Sequence, residues 1–198
     1  NTEGCYDDNL HGGGKFVARR TGKVIDQKKN NTLVHLGLNF AKRTNDEAWD
    51  YELNSRPENH TGEKVIASFN TGGNVTSRSS VGLEGAAVMG SFSVQGEYKR
   101  CAIMTDELAF NVAAYYAFVS FFITGEHRPY KNGAFGKIVP QRSLGSGGAG
   151  ALEVALRYSV MNSSEAFTTF KGMETSGKTQ DISFGLNWYV NANTRILY

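Results

Sequence analysis

Asp181-Ile182-Ser183-Phe184-Gly185-Leu186-Asn187-Trp188-Tyr189-Val190 runs directly into the turn Asn191-Ala192-Asn193. Ile182, Phe184, Leu186, Trp188 and Val190 are large and apolar, while Asp181, Ser183, Gly185 and Asn187 between them are polar or small. A period of two puts these sets on opposite faces of a strand, one greasy and one wet. Soluble sandwiches contain such strands too. This one is about ten residues long and ends in aromatics, a combination that, repeated along a chain, marks a transmembrane barrel.

The pattern repeats outward from there. Val34, Leu36, Leu38 and Phe40 alternate with His35, Gly37, Asn39 and Ala41. Val81, Leu83, Gly85, Ala87 and Met89 alternate with Gly82, Glu84 and Ala86; after Gly90, Phe92, Val94 and Tyr98 alternate with Ser91, Ser93, Gln95, Glu97 and Lys99. These two runs predict a hairpin with almost no loop. Leu152, Val154, Leu156 and Tyr158 alternate with Glu153, Ala155, Arg157 and Ser159. The stretch 111–124 carries aromatics on both faces; Tyr115, Ala117, Val119, Phe121 and Ile123 are assigned to the outside, and Tyr116, Phe118, Ser120, Phe122 and Thr124 to the inside. A weaker strand is expected at about 15–25 and another from Arg195, with polar loops at 43–62, 101–109 and 161–179.

Composition narrows the class. Twenty-three Gly against 3 Pro fit many strands joined by tight turns. Twenty-one basic and 19 acidic residues leave a net charge of +2, which favours no particular partner, neither nucleic acid nor an anionic membrane surface, and no nucleic-acid partner is expected. No window approaches the roughly 18 to 20 apolar residues of a membrane helix. The chain begins at Asn1 without a charged-then-apolar leader, so a secretory signal is expected to have been removed or to lie outside these residues. Cys5 and Cys101 are too few for a disulfide scaffold and lack metal spacing; whether they pair is left open. His11, His35, His60 and His127 are scattered, and neither a metal site nor a cofactor is expected. Gly145-Ser146-Gly147-Gly148-Ala149-Gly150 fits a dinucleotide pattern but leads into a strand instead of a helix, and reads as a flexible re-entry into the barrel. His11-Gly12-Gly13-Gly14-Lys15 lacks phosphate-loop spacing, and the Asn-x-Ser/Thr patterns at Asn30, Asn59, Asn74 and Asn162 read as Asn-rich loops. No catalytic arrangement stands out.

Asn54-Ser55-Arg56-Pro57-Glu58, Leu83-Glu84-Gly85-Ala86-Ala87 with Gln95-Gly96-Glu97-Tyr98, Ile123-Thr124-Gly125-Glu126-His127-Arg128-Pro129-Tyr130-Lys131, Leu152-Glu153-Val154-Ala155-Leu156-Arg157-Tyr158-Ser159 and Phe184-Gly185-Leu186-Asn187-Trp188-Tyr189 resemble, in sequence and order, the phosphate-selective porins O and P. The resemblance runs from about residue 14 to the end. It implies an antiparallel sixteen-stranded transmembrane β-barrel in the outer membrane of a Gram-negative bacterium, a homotrimer in contact with outer-membrane lipid, and passive passage of phosphate or related anions without enzymatic chemistry. Residues 1–198 then form a single domain, part of such a barrel. The alternation yields eight strands and the start of a ninth, so the chain is expected to be an internal piece of a longer barrel; a complete eight-stranded barrel is the geometric alternative.

With Met89-Gly90-Ser91 and Asn191-Ala192-Asn193 as short periplasmic turns, the connection 125–148 falls on the periplasmic side and is about twenty residues longer than that side requires. It carries Arg128, Lys131, Lys137 and Arg142, with no acidic residue after Glu126. Folded into the lumen, it would narrow the pore and concentrate anions; as an ordinary connection it would simply be solvated. Lys99 and Arg157 share the predicted inner face with Glu84, Glu97, Glu153 and Asp181, so the wall by itself is not expected to be electropositive. A general or sugar-type diffusion porin and a soluble β-sheet binding module are the competing readings.

Overall fold

The computed structural model describes residues 13–49, 52–55, 66–70, 75–131, 133–165 and 177–198. Twelve strands occur among them: β1 (Gly14–Gln27), β2 (Thr32–Trp49), β3 (Glu52–Ser55), β4 (Ile66–Asn70), β5 (Val75–Met89), β6 (Phe92–Thr105), β7 (Ala109–Phe122), β8 (Tyr130–Lys131), β9 (Ala134–Phe135), β10 (Ala151–Asn162), β11 (Lys178–Tyr189) and β12 (Arg195–Leu197). Eight form one antiparallel sheet in the order β1-β2-β5-β6-β7-β10-β11-β12, while β3-β4 and β8-β9 are separate two-stranded pairs. Each long strand lies beside the next long strand in sequence, the meander of a barrel wall. The sheet is open, since β1 and β12 do not pair with each other. It has eight strands, the last only three residues long, instead of eight and the start of a ninth.

Several stretches expected as loops are strand. Residues 43–49 continue β2, 52–55 form β3, 101–105 continue β6, and 161–162 and 178–179 belong to β10 and β11. Only Asp106–Leu108 joins β6 to β7. In β2 the alternation lapses at the polar run Arg43-Thr44-Asn45-Asp46-Glu47 while ladder hydrogen bonds continue to hold the strand, whereas β6 continues through the apolar Cys101, Ala102, Ile103 and Met104. In the opposite sense, β7 stops at Phe122, and Ile123 and Thr124 lie in the turn after it. Between β5 and β6 the turn is Gly90-Ser91, with Gly90 at φ 58, the left-handed conformation a two-residue hairpin demands.

Register settles the faces. Val34, Ala87, Val94, Val119, Leu156 and Phe184 stand side by side across six strands. Ile182 is 76% and Phe184 72% exposed, and Leu36, Leu38, Val81, Leu83, Phe121 and Leu156 are exposed with them. Among the described residues no second sheet covers this face, and its row of exposed apolar side chains suits hydrocarbon. Tyr98 and Tyr115 flank it toward one end and Met89, Phe92 and Phe121 toward the other. The inside and outside assignments for 115–122 agree with this register.

The core lies on the other face. Leu33, Val88, Ser93, Ser120, Phe122, Ala151, Glu153 and Tyr189 are buried there, with Ile138 from the connection 123–150 packed against Phe122, Ala151 and Tyr189. Toward the other end Cys101, Ile103, Phe110 and Val112 are buried on the same face. Cys101 is disulfide-bonded, and Cys5, the other cysteine of the sequence, lies outside the described residues.

Candidate pore-lining site

The connection 123–150 leaves β7, returns to β10 and, between them, reaches across the inner face. Its roots are tied by backbone hydrogen bonds: Ile123 N–H donates to the Leu152 carbonyl at 2.8 Å and Leu144 N–H to that of Val190 at 2.9 Å. Within it the buried Glu126 accepts from the Thr124 hydroxyl and, at 3.1 Å, from the Gln141 N–H, closing a compact loop. Its tip travels furthest. The Tyr130 ring stacks 5.6 Å from Phe135 and 5.3 Å from His35, a β2 residue three strands away from β7. Burial, and after it the Glu84 carboxylate, pushes the Tyr130 hydroxyl above its ordinary range, so it is neutral.

Gly150 makes the return to the wall possible. Its φ is +78, and a Cβ there would sit 2.4 Å from the Tyr189 carbonyl oxygen. The 145–150 run does lead into β10, but as a turn with defined hydrogen bonds, Ser146 N–H to Ser143 O at 3.1 Å and Gly150 N–H to Arg142 O at 3.1 Å.

The six candidate cations divide by environment. Arg128 donates from Nη2 to the fully buried Glu153 and from Nε to the Ser120 hydroxyl at 3.1 Å, with its guanidinium 5.3–5.9 Å from the Phe118, Phe122 and Phe135 rings. Lys131 and Arg142 are exposed on the connection. Lys137, also exposed, donates to Asn193 Oδ1 at 2.9 Å. Arg157 lies 4.0 Å over the Tyr116 ring on the wall, and Lys99 stands opposite Gly82 and Ala114 on the same face.

Three wall carboxylates are engaged. Glu84 receives Arg19 Nη2 at 2.7 and 2.9 Å and lies 3.1 Å from His35 Nε2. Glu97 accepts the Tyr116 hydroxyl at 2.7 Å, which itself accepts from Gln95 Nε2 at 2.7 Å. Glu153 accepts Asn187 Nδ2 at 3.1 Å and the Tyr189 hydroxyl at 2.9 Å in addition to Arg128. A guanidinium at contact distance offsets the charge of Glu84 and of Glu153, whereas the Tyr116 hydroxyl on Glu97 is a neutral donor that cancels no charge. Asp181 sits half-buried on this face opposite Ser159.

A basic row absent from the sequence reading lies toward the far end. Lys15 stands directly opposite Arg43, and Arg43 opposite Arg78, on the same face as Glu84; the three line a small pocket with Ser80 and Cys101. Their signal was parity. Counting by twos from His35 reaches Arg43, and from Glu84 back through Ser80 reaches Arg78, but the loop expected from residue 43 and the alternation that starts at Val81 leave both residues off the expected wall.

The family model for phosphate-selective porins O and P matches residues 15–198 of this chain. The chain belongs to that family. This porin chain is similar to Porin O of Pseudomonas aeruginosa, 30% identical over 191 residues that take in 83% of the chain and 42% of the relative. An uncharacterized protein of Caulobacter vibrioides is 35% identical over 82 residues, covering 41% of the chain and 17% of that protein. The porin chain therefore spans less than half the length of the curated relatives it matches. Family and strand pattern together make it part of a transmembrane β-barrel of the Gram-negative outer membrane.

Proposed function

We propose that this porin conducts phosphate or related small anions by passive diffusion, without catalysis, and that residues 1–198 form one unit of its barrel wall. The observation that carries the reading is the connection 123–150 lying across the inner face with Lys131, Lys137 and Arg142 exposed, above a wall whose Glu84, Glu97 and Glu153 are each held by donors. Lys15, Arg43 and Arg78 continue the basic character along the wall. In a confined, water-filled lumen with a low-dielectric wall each cation acts on a passing anion more strongly than in bulk water. The assembly is a homotrimer in outer-membrane lipid.

Planar-bilayer recording of the full-length protein in a salt gradient tests this. The expected result is an anion-selective reversal potential and block of chloride current by phosphate. Changing Lys131 and Arg142 to Glu should lower the anion-to-cation permeability ratio and weaken the block. The same change at Lys28 and Lys29, in the exposed turn after β1, should act weakly and vanish at 1 M salt, where the Debye length is about 3 Å. A channel without charge preference would instead establish a general or sugar-type diffusion porin.

A further inference from the structure

We infer that Arg128 and Glu153 are positioning residues: their pair clasps the in-folded connection to the barrel wall and so sets the width of the pore, and Arg128 is not among the charges that draw the anion in. The inference rests on the channel reading above.

Glu153 has 0% exposure and accepts from Arg128, Asn187 and Tyr189, so its lone pairs face donors on every side. The guanidinium against it has its charge matched at contact distance and offers little net field to an anion in the lumen. Its geometry is instead that of a mechanical joint. Nε donates to Ser120 Oγ, which is itself 2.8 Å from Ser93 Oγ. One side chain thus ties the connection to β6 and β7 through the serines and to β10 and β11 through Glu153 and its partners. Phe118 and Phe122 from β7 and Phe135 from the connection enclose the planar head within 5.9 Å. A flat, forked cation between rings and a carboxylate suits Arg and not Lys.

The clasp stands between the hydrogen-bonded roots of the connection and its tip at His35. Without it, the segment carrying Tyr130 and Phe135 is held over the lumen by ring contacts, and movement of such a loop falls in the range that single-channel current resolves as flicker. Two properties should therefore separate. Exposed cations govern selectivity; the clasp governs steadiness and size of the current.

The experiment compares R128Q, E153Q and the double variant with K131E in the full-length protein, each first checked for the detergent-resistant mobility of a folded barrel. R128Q and E153Q should each lose the steady open level, with flicker and a raised mean conductance. The double variant should match the singles, because either change opens the same joint. K131E should shift the reversal potential while the current stays steady. A steady R128Q current with a reversal potential shifted as far as in K131E would overturn the inference and make Arg128 an attracting charge. If the Gln variants do not fold, R128K decides: flicker with the charge retained supports a clasp, and a wild-type trace refutes it. A wild-type protein that conducts no anions would fail the channel reading itself, whereas steady clasp variants in an anion-conducting channel fail this inference alone.

Discussion

Ile182 and Phe184 are the most exposed large apolar strand residues of the sheet, at 76% and 72%, and an exposure of that size is tolerable only against hydrocarbon. Replacing Phe184 by Arg near the membrane midplane should cost about 2–4 kcal/mol. Its neighbour Gly185 has nothing within 4 Å of the position a Cβ would occupy, so Gly185→Ser should leave stability almost unchanged. Folding titrations of both variants in lipid vesicles provide the check, and equal losses would reverse the assignment of faces. On the inner face the ranking is different. Glu153→Gln breaks a buried, hydrogen-bonded pair, for which about 3 kcal/mol is expected. That is the lower end for such pairs, because Arg128 keeps its Ser120 hydrogen bond and 14% of its side-chain exposure.

The connection 123–150 is an element in its own right, and its return to the wall depends on Gly150. Any side chain there meets both a left-handed φ of +78 and the Tyr189 carbonyl oxygen at 2.4 Å. Gly150→Ala should cost at least about 2 kcal/mol and loosen the β10 end of the connection, which raised conductance and a lower thermal midpoint would report. Gly133, also at positive φ but with open space around it, should accept Asn with little change in either. The strands carry a complementary lesson. β2 extends past the apolar band through Arg43-Thr44-Asn45-Asp46-Glu47, so its length is set by the hydrogen-bond ladder and not by hydrophobicity, whereas β6 runs on through Cys101-Ala102-Ile103-Met104 with Cys101 and Ile103 buried.

For the whole molecule the decisive feature is the open sheet, whose end strands β1 and β12 do not pair with one another. Unsatisfied N–H and C=O groups in hydrocarbon cost several kcal/mol each, so an open sheet does not persist in a membrane. Residues 1–198 expressed alone should aggregate or fail to give a detergent-resistant band, while the full-length protein gives one; gel mobility with and without heating makes the comparison. A monodisperse channel from residues 1–198 would require the sheet to close on itself.

Period-two alternation in 34–41, 81–99, 152–159 and 181–190 was enough by itself to assign strands and their two faces, because each strand reports its own orientation through its own side chains; the choice of a barrel over a soluble sheet rested also on the resemblance to the porin family. The basic content of the long connection and its excess length were equally local properties, visible in Arg128, Lys131, Lys137 and Arg142. What those residues do was not local. Nothing in the sequence joins Arg128 to Glu153, Tyr130 to His35, or Lys15 to Arg43 and Arg78, since each pairing depends on cross-strand register or on where the connection lands. Arg128 of that connection holds Glu153, while Arg19, His35 and Tyr116 of the wall hold Glu84 and Glu97. Charge can be counted along a chain; the field it produces depends on which partners the fold brings within a few ångströms, and only the tertiary structure decided that.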